Sequence, residues 1–376
     1  MVRVVIYFPK ELSHSSYIHT GLFELERLGL IKCEISMKFR KDLGRTSLNN
    51  GTNSKLSMPQ PKTSFYELSD SSTNRTISFA TDLNDIPYYF STIALEKCDY
   101  IFKRNYSESY ISVLPGQFKK KIYPLGITFK VRSLAYNKKK IIQLGSVLTN
   151  LFENIKLDSD SFTRISNIIK HNRIERQNIQ NTPMLDRYDQ YSKHTENKII
   201  YQKRFFPYEL DHDVREIHLQ RYKFVKKLKE SFGDKYFLGG LVPCPITKIK
   251  YSEYLTNLPV SHSRYIDIMR KTKIVVYTRG LSDSIGWTLP EYLASGKAIL
   301  AEKFNTILPK QLINGKHVIF FDDLDDCIEK AKLLLKNEKK AERLCENSRE
   351  YYDNYVNPVQ NVRRMIELMI GRNLTS

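Results

Sequence analysis

Two carboxylates, Asp283 and Glu291, stand with seven residues between them, and Gly286 lies inside that interval. An ionised carboxylate only accepts hydrogen bonds, and its two oxygens can take both protons of a vicinal diol at once. Glu291 falls in the first turn of a helix pattern, Leu289–Ser295, where such a group can hold the diol of a ribose. The N–H groups of Trp287, Thr288 and their neighbours Ile285 and Gly286 open the same helix and suit phosphate oxygens. Asp283, one loop earlier, is placed for the hydroxyls of a hexose.

The elements that must position these groups are legible around them. Ile274–Tyr277, Ala298–Ala301 and Val318–Phe321 are short apolar runs bounded by polar or glycine residues, as expected of parallel strands covered on both faces. Gly296 follows the helix pattern where a C-terminal glycine belongs. Strand, loop, helix and strand make one βαβ unit, and its loop leaves the carboxyl end of the first strand. Ligands of open α/β sheets bind at that edge.

The run Asp283-Ser-Ile-Gly286-Trp-Thr-Leu-Pro-Glu291-Tyr-Leu-Ala294-Ser-Gly296 resembles the acidic motif of the group-1 (family 4) glycosyltransferases. That motif reads E-G-F-G-L-x-x-x-E-A-x-A-x-G, with Asp here for its first Glu and Ser284 for its first Gly. The resemblance covers the second half of the chain, and the first half only in general layout. It implies an α/β protein of GT-B architecture, two Rossmann-like domains facing a central cleft. It also implies an Arg closing the first strand of the donor domain and a Lys about six residues later, together clamping the donor diphosphate. Arg204 stands where that Arg belongs; the Lys position holds Leu210, which leaves Lys203 or Arg279 as substitutes. Arg204 would then stabilise the charge that develops on the leaving diphosphate.

Composition sets limits around this motif. A chain of 376 residues with 41% hydrophobic and 27% charged residues is globular and long enough for two domains. No apolar run approaches the ~20 residues of a membrane span. The start MVRVVIYFPKEL enters a strand without a signal-peptide pattern, and the five cysteines lack C-x-x-C spacing. Both point to a cytoplasmic protein with reduced thiols. The net charge of +19 favours polyanions or anionic lipid.

In chain order, Val2–Phe8 reads as a strand, Tyr17–Leu28 as a helix and Ile31–Phe39 as a second strand, without a G-x-G-x-x-G fingerprint. Residues 40–62 read as a mobile polar loop. Asp82 and Asp85 follow the strand Ile77–Ala80; Asp82 is a candidate catalytic group, and Asp85 a cap for the helix around Tyr88–Lys97. Lys119–Lys121 and Lys138–Lys140 are two basic runs that could face a membrane. Lys198–Phe206 opens the second domain, and Gly239-Gly240 after the next strand offers Gly240 as a seat for a flat base.

The expected domains are 1–195 (acceptor), 196–355 (donor) and 356–376, a final helix crossing back to the first. The function implied by the resemblance is transfer of a hexose-type sugar from a UDP-, GDP- or dTDP-sugar to a glycan or lipid-linked acceptor in surface-polysaccharide synthesis. Retention of configuration and no metal or other cofactor go with it. Peripheral contact with the cytoplasmic membrane face is expected and nucleic acid is not, because no helix-turn-helix, RNA-recognition or zinc-finger pattern stands in the chain. The alternatives are a basic nucleic-acid- or polyanion-binding protein and another GT-B activity such as a sugar-nucleotide epimerase.

Overall fold

The computed structural model describes residues 1–9, 11–36, 45–49, 52–56, 62–138, 140–154, 158–192 and 195–375. Two compact units emerge. The first comprises residues 1–187, 307–309 and 355–376, and the second 188–306 and 310–354.

In the first unit, β1 (Val2–Ile6) and β2 (Ile31–Ile35) pair in parallel around the helix Leu12–Arg27. The strands β3 (Arg45–Asn49) and β4 (Thr52–Leu56) form a hairpin that pairs with β7 (Tyr89–Ser91). Thus part of the segment read as a mobile loop is ordered sheet; the rest of residues 40–61 lies outside the described residues, as does Lys139 of the second lysine run. Their mainly polar sequences, RTSLN and TNSKL, hid these strands from sequence reading. A long hairpin, β5 (Thr63–Asp70) and β6 (Arg75–Asp82), inserts antiparallel beside β1, and β8 (Tyr100–Lys103) and β9 (Ile122–Pro124) continue in parallel from β6. The final helix, Pro358–Ile370, packs on the helix Leu12–Arg27 within this unit. Gly21 permits that approach, because a Cβ there would collide with the Pro358 carbonyl and Val362. Tyr17 anchors the junction by donating to the Val356 carbonyl at 2.6 Å and accepting from the Asn361 amide at 3.1 Å.

Asp82 sits at the carboxyl end of β6 but is committed to the interior. Its carboxylate meets Lys103 Nζ at 2.9 Å, with both side chains at most 2% exposed. Lys103 also donates to the Tyr89 carbonyl at 2.8 Å and lies 4.5 Å from the Phe90 ring centre. This buried pair ties β6, β7 and β8 together and holds the Asp82 carboxylate in the interior of the unit. Asp85 likewise does not cap a helix: that role falls to Ser91, which accepts from Ala94 N–H at 3.3 Å. Asp85 instead pairs with Arg104 and, at 3.0 Å, with Lys62. Burial alone would raise its pKa, but the two cations prevail and hold it at about 2.

The second unit is a parallel sheet in the order β11 (Phe237–Leu241), β10 (Glu196–Lys203), β12 (Thr272–Tyr277), β13 (Ala298–Glu302) and β14 (Ile319–Phe321). Every residue of β12 is buried, which is why it reads as an unbroken apolar run. Helices His212–Tyr236, Leu324–Lys336 and Glu338–Tyr351 contribute Phe224, Leu228, Ile328 and Leu344 to one core with Ile199, Ile274, Val276 and Leu300 of the strands. Gly296, at φ +57°, turns the chain from the short helix Thr288–Ala294 into β13.

Removing the ammonium under Asp82 leaves a buried carboxylate without its counter-charge, held only by the Asn84 N–H at 3.0 Å among the hydrogen bonds found for it. Lys103→Met is expected to destabilise the first unit by about 3–5 kcal/mol, read as a lowered urea midpoint, without changing nucleotide affinity. Loss of nucleotide binding at unchanged stability would return Asp82 and Lys103 to a ligand site.

Candidate functional site

The carboxyl edge of β10 and β12 in the second unit carries the candidate groups. Lys203 ends β10 and is 6% exposed, with its ammonium 3.5 Å from Thr288 Oγ1 at the start of the short helix. The rings of Tyr201 and Tyr277 lie 5.2 and 5.7 Å from that ammonium. Burial pushes its pKa down to about 7, the Arg221 charge adds to the fall, and Glu302 and Glu291 oppose it. An anion brought to this edge therefore meets a cation that lacks a close carboxylate of its own among the hydrogen bonds and ion pairs found for Lys203.

Arg204, one residue on, is exposed; it donates to the Val260 carbonyl, and its own carbonyl accepts from Arg221. Arg204 lies beyond the end of β10, and it is Lys203 that contacts the helix carrying Glu291. Arg279 is also committed. It meets Asp213 at 2.5 Å, Asp283 at 3.3 Å and Glu216 at 3.5 Å, and its backbone N–H donates to Glu302 at 2.7 Å. Asp283 is 62% exposed at the side chain and held in the left-handed region at φ +54°. Arg279 thus acts as the post to which the Asp283 loop is tied.

Glu291 is 6% exposed, with Oε1 2.6 Å from His262 Nε2. An ionised carboxylate only accepts, so Nε2 carries the proton of this bond. His262 occupies one acceptor position and orients the carboxylate. Nothing in the sequence signalled it, since a lone His at a helix start fits no motif. Tyr277 was missed as well: its hydroxyl accepts the Gly286 N–H at 2.8 Å and so fixes the loop before the helix. Ile285 is buried, and Trp287 and Thr288 are half-buried at the helix entrance. That helix has seven residues, so its dipole is a minor contribution beside the Lys203 charge. Gly240, at φ +140°, has the chain's own backbone where a Cβ would stand: Tyr254 O at 2.8 Å and Thr256 N at 2.9 Å. Its glycine is explained by that close approach. Among the described residues no cluster of His, Cys, Asp and Glu could hold a metal ion. None of the described helices is long and apolar enough to cross a membrane.

Residues 220–367 match the family model of glycosyl transferase-like proteins. The matched segment contains both Asp283 and Glu291. No curated protein matches the sequence significantly. Several solved structures show a partial likeness to the chain. TarM is 13% identical over 84% of this chain and 64% of its own, with a TM-score of 0.35. A glycosyltransferase from Rickettsia africae ESF-5 is 15% identical over 74% and 64%, with a TM-score of 0.39. An alpha-glucosyltransferase in complex with UDP-glucose and DNA containing an abasic site is 12% identical over 98% and 99%, with a TM-score of 0.41. The chain thus spans about two thirds of the length of the first two.

The buried ammonium makes a signed prediction for the unliganded protein. The folded pKa of Lys203, about 7, lies below the ordinary lysine value of 10.5, so the folded state binds fewer protons than the unfolded state between those values. Its cost to stability is complete below pH 7 and fades as pH rises toward 10.5. Relative to Lys203→Met, the parent should gain roughly 2–3 kcal/mol between pH 6 and pH 9, measured by denaturant melts at both pH values. A pH-independent difference would place Lys203 in a solvated setting.

Proposed function

We propose that the second unit holds a nucleotide-sugar donor and that the chain transfers its sugar to a hydroxyl acceptor. The observation that carries this reading is the buried Lys203 ammonium beside Thr288, one helical turn before Glu291. Glu291, braced by His262, receives the ribose hydroxyls. Lys203 receives the diphosphate and balances the charge it gains as the glycosidic bond breaks. An ammonium in a low-dielectric setting does this better than an exposed one, because less of its field is screened by water. Asp283, posted by Arg279 on the outer loop, receives the hydroxyls of the transferred hexose. The match of residues 220–367 to glycosyl transferase-like proteins supports the donor reading, since that segment includes both acids. Arg204 and Asp82 have no direct part in it.

Ribose is common to the free nucleotide and the nucleotide sugar. Glu291→Gln should therefore weaken UDP and UDP-sugar binding by similar factors, with a charge-assisted hydrogen bond worth ~1.5–3 kcal/mol. Asp283→Asn should leave UDP affinity nearly intact and lower turnover, as expected of a contact realised mainly in the transition state. Calorimetric titration of both nucleotides, with donor consumption as the activity readout, separates the roles. Equal loss of UDP affinity in the two variants would overturn this assignment. Because the donor base is open, GDP and dTDP sugars belong in the same titration series.

A further inference from the structure

The helix Ser161–Gln180 of the first unit has no role in the site above. It is 20 residues long, and of its described side chains only Asn172 and Ile179 are fully buried. At 100° per residue, Phe162, Ile169, Lys170, Arg173, Arg176 and Gln177 fall within about a third of its circumference. Phe162 is 88% exposed and Ile169 53% exposed, and the three cations and Gln177 are exposed too. The helix sequence holds four Lys or Arg residues (Arg164, Lys170, Arg173, Arg176) against one acid, Glu175, within a chain of net charge +19.

We infer that this helix face binds a nucleic-acid duplex. Its length, ~30 Å at 1.5 Å per residue, and its diameter match a major groove ~12 Å wide. The arginines, the lysine and the glutamine are donors suited to phosphate oxygens and base edges. Phe162 supplies an aromatic surface at one end of the arc, of the kind that wedges against or stacks on bases. An anionic membrane fits the charge but not the pattern. Lipid binding by a surface helix needs a continuous apolar stripe, and here Ser166 stands between Phe162 and Ile169, with Arg173 and Gln177 beyond. Searching the sequence for dedicated nucleic-acid folds missed this face because a solvent-exposed helix stripe carries no motif. The nucleic acid as acceptor of the transferred sugar rests on the transferase reading; the binding itself does not.

The test is fluorescence anisotropy with a fluorescein-labelled DNA duplex of about 20 base pairs, titrated between about 50 and 200 mM salt. The full chain is compared with a triple variant, Lys170→Gln/Arg173→Gln/Arg176→Gln, and with Phe162→Ala. A control removes three cations from the other unit, Lys223→Gln/Lys226→Gln/Lys235→Gln. The triple variant should bind about tenfold more weakly or worse, with a salt slope shallower by about 2–3. Phe162→Ala should weaken binding with the slope unchanged, and the control should lose much less than the triple variant. Melting curves and UDP titration of each variant report folding and the donor site separately. Equal losses in triple variant and control, or no duplex binding by a chain that binds UDP, would overturn the inference and leave the donor reading standing. Loss of binding to phosphatidylglycerol vesicles in the triple variant, with duplex binding unchanged, would assign the face to membrane instead.

Discussion

Burying one ammonium at the carboxyl edge of a parallel sheet is the constraint on which the second unit turns. An isolated buried cation is costly, and burial, with the Arg221 charge adding to it against Glu302 and Glu291, pushes the Lys203 pKa down to about 7. The strand must be fully covered for that setting to exist. The apolar β12 and the helices on both faces provide the cover, and Tyr201 is fixed through its 3.0 Å contact with Thr278 Oγ1. The same edge tolerates the cation because anion binding would neutralise it. A group destabilised in the free protein is stabilised by the ligand it is built to receive.

The acids around this lysine are divided by their partners. Asp213, Glu216, Asp283 and Glu302 all converge on Arg279, through its side chain or its backbone N–H. Glu291 is assigned to His262. A parallel sheet collects such groups at one edge because every strand ends there, and loops can then vary the pairing without disturbing the core. In the first unit the equivalent strand ends are spent on structure: the Asp82–Lys103 pair closes the edge from within.

Much of the second unit was legible in sequence because continuous apolar strands and a glycine-closed helix are local signals. The Asp283–Glu291 spacing identified the loop for the same reason. What escaped were long-range pairings. No local pattern tells that Lys203 rather than Arg204 reaches the helix of Glu291, nor that Arg279 would be claimed by acids from the helix His212–Tyr236. Asp82 looked available only because its partner, Lys103, lies 21 residues away on another strand. The hairpin β3–β4 was hidden by its polar composition, where the pairing partner and not the residue pattern defines the strand. Gly240 shows the reverse case: a glycine pair read as room for a ligand is room for the chain itself.

Proton uptake on nucleotide binding tests the central claim most directly. A diphosphate placed against Lys203 should raise its pKa from about 7, so a largely neutral amine must take up a proton when the ligand binds above that pH. Calorimetry of UDP binding at a pH about 1.5 units above that pKa, in buffers of different ionisation enthalpy, should give close to one proton taken up per nucleotide. The uptake should vanish in Lys203→Met. Nucleotide binding without proton uptake, or with the same uptake in the variant, would contradict the account.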